Sequence, residues 1–302
     1  MNSDLPKVLH EVGGAPLVVH ALLSAAPLEP ERSVVVTGHG GAAVAGVVEE
    51  FDERVRTVEQ AEQLGTAHAV LQAAPMLEGF AGNAIVLYGD TPFIRAETLE
   101  EMLAARKQHD IVVLGFEAAD PGRYGRLVME GDTLLRIVEY KDATESERRI
   151  GLCNSGVLCA DAATLLRLVS EVGNENAAGE YYLTDIVALG RAQGLSATAV
   201  TCAEVETMGV NTRAQLATAE AAFQARARGE AAENGVTLLD PATVHFSWDT
   251  AIGRDTVVEP NVIFAPGVTV ESGARIRGFS HLEGCHVSEG ATAVSYTHLT
   301  LP

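Results

Sequence analysis

The stretch Ile85-Val86-Leu87-Tyr88-Gly89-Asp90-Thr91-Pro92 decides how this chain is read. From Ala84 to Tyr88 it is a short apolar run, the pattern of a strand buried on both faces of an open α/β sheet. Gly89 and Asp90 end the run, and Pro92 has no N–H with which to continue a ladder. Asp90 is therefore expected just past the carboxyl end of a central strand, where open α/β sheets bind their ligands. A carboxylate at that place suits a cation held on phosphates, because Mg²⁺ prefers hard oxygen donors. The same residues also satisfy a plain turn that caps a helix.

Outward from that stretch, short β-branched runs alternate with helical segments. Helices are predicted over 17–26, from 41 to about 50, and over 66–74 and 97–108. Strands are predicted over 33–37, 54–58 and 111–116. This alternation is the signature of a mostly parallel sheet with helices on both faces. From 124 to 140 the pattern changes to two short strands around Glu130-Gly131-Asp132. A strand over 153–159, helices over 162–172 and 181–192, and a strand over 197–202 complete the first domain, taken as 1–212. A doubly wound domain ordinarily opens with a strand and a glycine-containing turn, and this chain opens in what reads as the following loop. An incomplete N-terminus is the expectation.

The segment 213–235 is rich in Ala, Glu, Gln and Arg and holds a helix of roughly 30 Å. It reads as an arm, polar on most faces, either exposed or packed on a neighbouring chain. Beyond it, over 236–294, Ile252, Val258, Phe264, Val270, Ile276 and Leu282 fall six residues apart. Four positions after each come Thr256, Val262, Val268, Ala274, Ser280 and His286, mostly small, with Gly and Pro between. A six-residue period is that of hexapeptide β-helix repeats, three to a coil. About seven hexapeptides are expected, the pattern breaking at Ser288, with 295–302 an off-pattern tail.

Composition bounds the function classes. The 302 residues are 47% hydrophobic and carry a formal net charge of −20. Nonspecific nucleic-acid binding is thereby excluded, and a phosphorylated ligand must be held locally against an unfavourable field. Four cysteines stand without a C-x-x-C pair or clustered histidines. That pattern suggests neither a disulfide framework nor a zinc site and fits a reducing cytoplasm. No apolar run reaches the length of a membrane span, and residues 1–7 do not form a signal peptide.

Two further stretches carry chemistry. Ser3-Asp4-Leu5-Pro6-Lys7 offers a lysine pinned after a proline, and Gln60-Ala61-Glu62-Gln63-Leu64-Gly65-Thr66-Ala67-His68 offers amides and a Gly-Thr turn that can read the edge of a base. These, with Leu-Tyr-Gly-Asp-Thr-Pro, Tyr-Gly-Arg, Ile-Val-Glu-Tyr-Lys-Asp-Ala, Cys-Asn-Ser-Gly, Glu-Tyr-Tyr-Leu-Thr-Asp, Gly-Val-Asn-Thr-Arg and the hexapeptide tail, occur in that order. In this the chain resembles the bacterial bifunctional N-acetylglucosamine-1-phosphate uridylyltransferase/glucosamine-1-phosphate N-acetyltransferase family, from about Ser3 to Val294.

The resemblance implies a Rossmann-like nucleotidyltransferase domain with a doubly wound, mostly parallel sheet, a helical arm and the start of a left-handed parallel β-helix. It implies cytoplasmic, Mg²⁺-dependent transfer of UMP from UTP to N-acetylglucosamine 1-phosphate, with pyrophosphate leaving and no protein nucleophile. By match of motif, Lys7 would contact phosphate and Gln60, Gly65 and Thr66 would read uracil. Tyr88 and Gly89 would line the site, and Asp90 and Asn211 would hold Mg²⁺. Gly125, Glu139 and Asn154 would bind the sugar phosphate, and Lys7 with Asp90 would carry the catalysis. The family's opening strand and Gly-rich, Arg-containing loop have no counterpart before Asn2. Its acetyl-transfer residues belong to later coils, so His281 and His286 read as coil-surface residues. Acetyl transfer is expected to be absent, and the family's trimer, which rests on its β-helices, to be weakened. The alternatives are another sugar-1-phosphate nucleotidyltransferase, or a non-catalytic fragment that only assembles.

Overall fold

The structure is a computed structural model and describes residues 1–295. Apart from Ser295, the expected 295–302 tail lies outside the described residues. The chain divides into two units, one of Asn2–Leu9 with Leu17–Gly209, the other of Met1, His10–Pro16 and the chain from Val210 on.

In the first unit the strands Asn83–Val86, Ile111–Glu117 and Ala197–Cys202 run in one direction. The ten-residue strand Leu152–Asp161 lies between the first two, antiparallel to both. The hairpin Arg126–Glu130/Thr133–Val138 joins this sheet through Arg126 and Cys153. A second, parallel pair, Val34–Thr37 with Arg56–Glu59, stands as a separate sheet. The α/β expectation thus holds, but the sheet is mixed: among the described residues only Ala197–Cys202 and Ile111–Glu117 pair in parallel within it, and its other pairings are antiparallel. Residues Ile111 to Phe116 are all buried, as a continuous apolar run between two neighbouring strands should be. Helices Ala162–Glu171 and Asp185–Ala192 bury Leu165, Leu168, Ile186 and Val187 in the core that also takes Ile111, Val113 and Leu158. Opposite them, Leu99 and Met102 of helix Ala96–Ala105 pack with Val112, Leu114 and Val157.

Two expectations are corrected here. The strand before Asp90 ends at Val86, and it is not buried on both faces. Among the described residues it pairs only with Leu152–Asp161, and Ala84, Ile85 and Val86 are half-buried. With one edge free of a ladder partner, its side chains keep part of their exposure. The helix expected over 181–192 starts only at Asp185. Tyr181 uses its backbone elsewhere: its N–H donates to Leu64 O at 2.8 Å and its carbonyl accepts from Ala67 N at 2.9 Å.

The second unit contains a segment from the beginning of the chain. Strands Glu11–Val12 and Ala15–Pro16 form a small hairpin, so the first domain does not run unbroken from 1 to 212. The turn explains the exchange. Gly13 has φ +55°, and a Cβ there would come within 2.3 Å of the Phe223 ring. Its N–H donates to Glu220 Oε2 at 2.7 Å, and its carbonyl accepts from Trp248 N at 2.8 Å.

The Arg213–Glu233 helix opens with a capping box between Thr212 and Gln215. The helix read as an arm buries Ala219, Phe223 and Gln224 within its own unit and leaves its other residues exposed or half-buried. Gln224 bonds both backbone polar groups of Phe246, at 2.7 and 2.9 Å.

Beyond the helix, short parallel strands stack in three ladders of four, three and three rungs. Successive rungs such as Ala251 and Thr269, Val257 and Arg275, and Ile263 and His281 are 18 residues apart, three hexapeptides to a coil. Val258, Phe264, Val270 and Ile276 are buried, and so are Thr256, Val262, Val268, Ala274 and Ser280. The repeat does not break at Ser288, because Thr269 pairs with His286, one residue early, and Val287 takes the buried place. His281 and His286 are exposed.

Candidate functional site

In the first unit Asp90 follows the strand by four residues, inside a turn closed by Thr91, whose N–H and hydroxyl both donate to Tyr88 O at 3.2 and 2.9 Å. Lys7 opens a short 3₁₀ turn in which Leu9 N donates to Pro6 O at 3.0 Å. This places the Lys7 ammonium 2.5 Å from Asp90 Oδ2, with side-chain exposures of 39% and 19%. At that exposure the pair adds about 1 kcal/mol or less to stability. Its importance is chemical, since it sets a carboxylate and a mobile cation side by side at the carboxyl ends of the strands.

Tyr88 lies beside this pair. Burial pushes its phenol up to about 12, a bond with Thr66 acts against that rise, and the carboxylates of Glu139 and Asp90 add to it. The phenol therefore stays protonated and serves as a polar wall. A Cβ on Gly156 would come within 2.7 Å of the Tyr88 ring, so only glycine lets the ring lie there. A Cβ on Gly89 would meet Val8 Cγ1 at 3.4 Å and Val18 Cγ2 at 3.8 Å. Thr66 Oγ1 accepts from Leu183 N at 2.9 Å, which ties the Gly65 turn to the 181–184 segment. Gly65, at φ +122°, has no room for a Cβ, which would meet Tyr181 O at 2.5 Å.

Gly125, Glu139 and Asn154 come together as a second cluster. Asn154 N donates to Gly125 O at 2.9 Å, and a Cβ on Gly125 would lie 3.4 Å from Glu139 Oε1 and 3.5 Å from Asn154 Cβ. Burial raises the Glu139 pKa, the hydrogen bond from Thr184 opposes this, and nearby Asp185 and Asp142 add to the rise. The Thr184 hydroxyl donates to Glu139 Oε1 at 3.2 Å. Asn154 Oδ1 is taken by Gly156 N at 3.0 Å, which points the amide's NH₂ toward other partners. Asn211 is in the other unit, where its backbone N–H donates to Gln215 Oε1 at 2.8 Å just before the long helix.

Some residues that hold the candidate site together were not legible in the sequence. Arg126 is 1% exposed and donates to the carbonyls of Gly122, Tyr124 and Arg148, holding the loop that carries Gly125. Thr184, within Glu180-Tyr181-Tyr182-Leu183-Thr184-Asp185, reaches Glu139 from a loop whose sequence has no local signal for that contact. His68, eight residues from Gln60, bonds it across the Gly65 turn.

Among the described residues no group of three or more His, Cys, Asp or Glu is arranged to hold a metal. The Asp90 carboxylate, held beside the Lys7 ammonium at the end of its strand, offers the hard oxygen donor that Mg²⁺ prefers. A cation already sits on Asp90 in the form of the Lys7 ammonium. No helix among the described residues is long and apolar enough to cross a membrane.

Sheet topology and a cationic–carboxylate pair at the strand ends define the class, and residues 1–151 match the MobA-like NTP transferase domain. The chain belongs to this nucleotidyltransferase family and, over nearly its whole length, to that of the bifunctional protein GlmU. It is 60% identical over 299 residues to that protein of Jannaschia sp., which covers 99% of this chain and 66% of the relative. It is 67% identical over 292 residues to the Cereibacter sphaeroides protein, covering 97% and 64%, and 62% identical over 299 residues to that of Paracoccus denitrificans, covering 99% and 67%. The chain thus spans about two thirds of the length of these relatives. Among solved structures, a nucleoside-diphosphate-sugar pyrophosphorylase from Vibrio cholerae aligns with TM-score 0.60 at 16% identity, over 73% of this chain and 93% of its own. A UDP-glucose pyrophosphorylase complexed with UDP-glucose aligns with TM-score 0.59 at 17% identity, over 74% and 91%. At such identities the likeness is one of fold.

Proposed function

We propose that the first unit transfers UMP from UTP to N-acetylglucosamine 1-phosphate, giving UDP-N-acetylglucosamine and pyrophosphate. The observation that carries the reading is the Lys7–Asp90 pair, 2.5 Å apart at the strand ends, beside the Gly65-Thr66 turn and the Gly125–Glu139–Asn154 cluster. The Lys7 ammonium would contact phosphate oxygens of the triphosphate, and the Asp90 carboxylate would be the protein's oxygen donor for Mg²⁺. An ion held there would supply charge neutralisation on the phosphates.

Gln60, Gly65 and Thr66 hold the uracil, and Gly125, Glu139 and Asn154 hold the sugar. A phosphate oxygen of the sugar then attacks the α-phosphorus in line. That P–O bond forms as the bond from the α-phosphorus to the bridging oxygen breaks, and pyrophosphate departs with the bonding electrons. Positioning and charge compensation lower the barrier, with no side chain acting as a nucleophile. Tyr88, protonated throughout the physiological range, walls the site against water.

The test is pyrophosphate release with UTP and N-acetylglucosamine 1-phosphate against other nucleoside triphosphates and other sugar phosphates, with and without Mg²⁺. Turnover confined to the uridine and N-acetylglucosamine pair supports the reading. Equal turnover with glucose 1-phosphate or with ATP overturns it.

A further inference from the structure

We infer that His68, a residue that need not touch any substrate, sets which nucleobase the first unit accepts by fixing the orientation of the Gln60 side-chain amide. The inference rests on the nucleotidyltransferase reading above and extends it to the choice between uracil and cytosine.

Gln60 follows the Arg56–Glu59 strand and is anchored there by its backbone, N–H to Thr37 O at 2.7 Å. Its side chain is 9% exposed. One end of the amide lies 3.0 Å from Gly65 O and 3.0 Å from His68 Nδ1. A carbonyl oxygen can only accept, so the atom facing Gly65 O must be the NH₂ group. That group has two protons, and the second points at His68 Nδ1. For both bonds to exist Nδ1 must carry a lone pair, so the neutral imidazole bears its proton on Nε2.

Nε2 in turn lies 3.2 Å from the Gln72 side-chain amide, one helical turn along. Gln72 also lies within 3.0 Å of His68 O, where its NH₂ would donate. The two glutamines cannot both present NH₂ to a singly protonated ring. Burial decides between them: Gln60 is buried and Gln72 only half-buried, and an unmet donor costs more where water cannot replace its partner. Gln60 keeps its two bonds, and Gln72 keeps its NH₂ on the His68 carbonyl and makes no bond to Nε2–H.

What remains for a ligand is the Gln60 oxygen. It has no protein donor among the described residues and is not among their buried polar atoms lacking a partner. An acceptor fixed in place selects bases that offer a ring N–H. Uracil has N3–H, whereas cytosine has a lone pair at N3 and would set two acceptors against each other. A free glutamine could rotate by half a turn and serve either base; the bonds to Gly65 O and His68 Nδ1 together prevent the rotation, and the second is the one a side-chain substitution can remove. Sites built to hydrogen-bond a particular group reject analogues that leave a buried partner unmet.

The experiment measures direct binding of UTP, CTP and 5-methyl-UTP by calorimetry in the presence of Mg²⁺, for the unsubstituted chain, His68→Leu and His68→Asn. Leucine cannot accept a hydrogen bond. Asparagine can set its oxygen near the place of Nδ1 and so restore the acceptor. Melting of each variant is recorded alongside. His68→Leu is expected to lower the ratio of UTP to CTP affinity by about tenfold or more. His68→Asn should bring the ratio back toward that of the unsubstituted chain. The ratio of UTP to 5-methyl-UTP, which share N3–H, should stay constant throughout. A UTP to CTP ratio that is the same in all three chains overturns the inference while leaving the uridylyl reading standing. Loss of the ratio in both variants alike also overturns it, since a merely structural role would show that pattern. If the unsubstituted chain binds CTP as well as UTP, the uridylyl reading itself falls and takes this inference with it.

Discussion

Replacing Arg126 by methionine should destabilise the first unit more than any other single change at its surface loops. The guanidinium is 1% exposed and lies 6.0 Å from the Tyr140 ring, and its partners are the main-chain carbonyls of Gly122, Tyr124 and Arg148. Hydrogen bonds to a charged group contribute about 1.5–3 kcal/mol each, and a buried acceptor left unmet costs a similar amount. Methionine keeps much of the stem's volume and does not carry a charge that must be desolvated, which offsets part of the loss. A net destabilisation of about 3–5 kcal/mol is expected, equivalent in a unit of on the order of 200 residues to roughly 10 °C in Tm. Arg126→Lys should fall between, since an ammonium keeps the charge but lacks the planar fork. Scanning calorimetry of the three chains is the assay, with titration of N-acetylglucosamine 1-phosphate as a second measurement, because the held loop carries Gly125. A Tm within about 2 °C of the unsubstituted chain for Arg126→Met would refute the reasoning.

Three other outcomes are expected. Asp90→Asn should keep the circular dichroism spectrum yet lower Mg²⁺-dependent pyrophosphate release by about a hundredfold or more; near-normal turnover at saturating Mg²⁺ would remove Asp90 from the metal site. Glu139 has its pKa raised by burial in the folded state, so its contribution to stability is fully present below the carboxyl's unfolded pKa and is lost as pH rises through the folded value. Glu139→Gln should accordingly melt above the unsubstituted chain at pH 8 and level with it near pH 4, and a gap of equal size at both pH values would contradict this. Phe279 sits at φ +62° with 78% exposure, a left-handed conformation that a bulky side chain adopts at a cost of about 1–2 kcal/mol. Phe279→Asn should raise the stability of the second unit by about 1 kcal/mol in urea unfolding, and a lower midpoint would mean that the ring is held by contacts of its own.

The parts of the fold legible in the sequence were those set by local pattern. The apolar run Ile111 to Phe116 and the six-residue spacing from Ile252 to Leu282 reported a buried strand and a coil, because periodicity and burial are linked within a few residues. Pairing was less legible. That Leu152–Asp161 would run backwards between two parallel strands, or that His10–Pro16 would join the second unit, depends on contacts far apart in the sequence, from Ile111 with Ala160 to Gly13 with Glu220. The same division holds in the site. Asp90 and Gly65 could be singled out from strand ends and turn chemistry. The closeness of Lys7 to Asp90 follows from tertiary structure, since the two are 83 positions apart. The burial of Arg126 has no local signal either, because its partners are carbonyls, which every residue has. Tyr181 read as helical because its side chain suits the pattern, and only its backbone bonds to Leu64 and Ala67 show why the helix starts later.

The shortened coil near Glu283 bears on how such a stack can change by mutation. Left-handed backbone recurs at Asp255, Asn261, Gly267, Gly273, Phe279, Gly284 and Gly290, and the third residue after each points inward, from Val258 to Ala293. Between Leu282 and Gly284 only Glu283 intervenes, where the earlier corners allow two residues. Phase is therefore reset at every corner and is not carried along by a count of residues. A deletion on the straight approach to a corner shortens one edge of the prism but leaves every later side chain on its proper side. A deletion inside the three-residue step after a corner would turn one inward side chain out and spare the rest. Frame in this solenoid is kept locally, edge by edge, so length errors in it do not propagate as they do along a strand, where one missing residue inverts everything that follows.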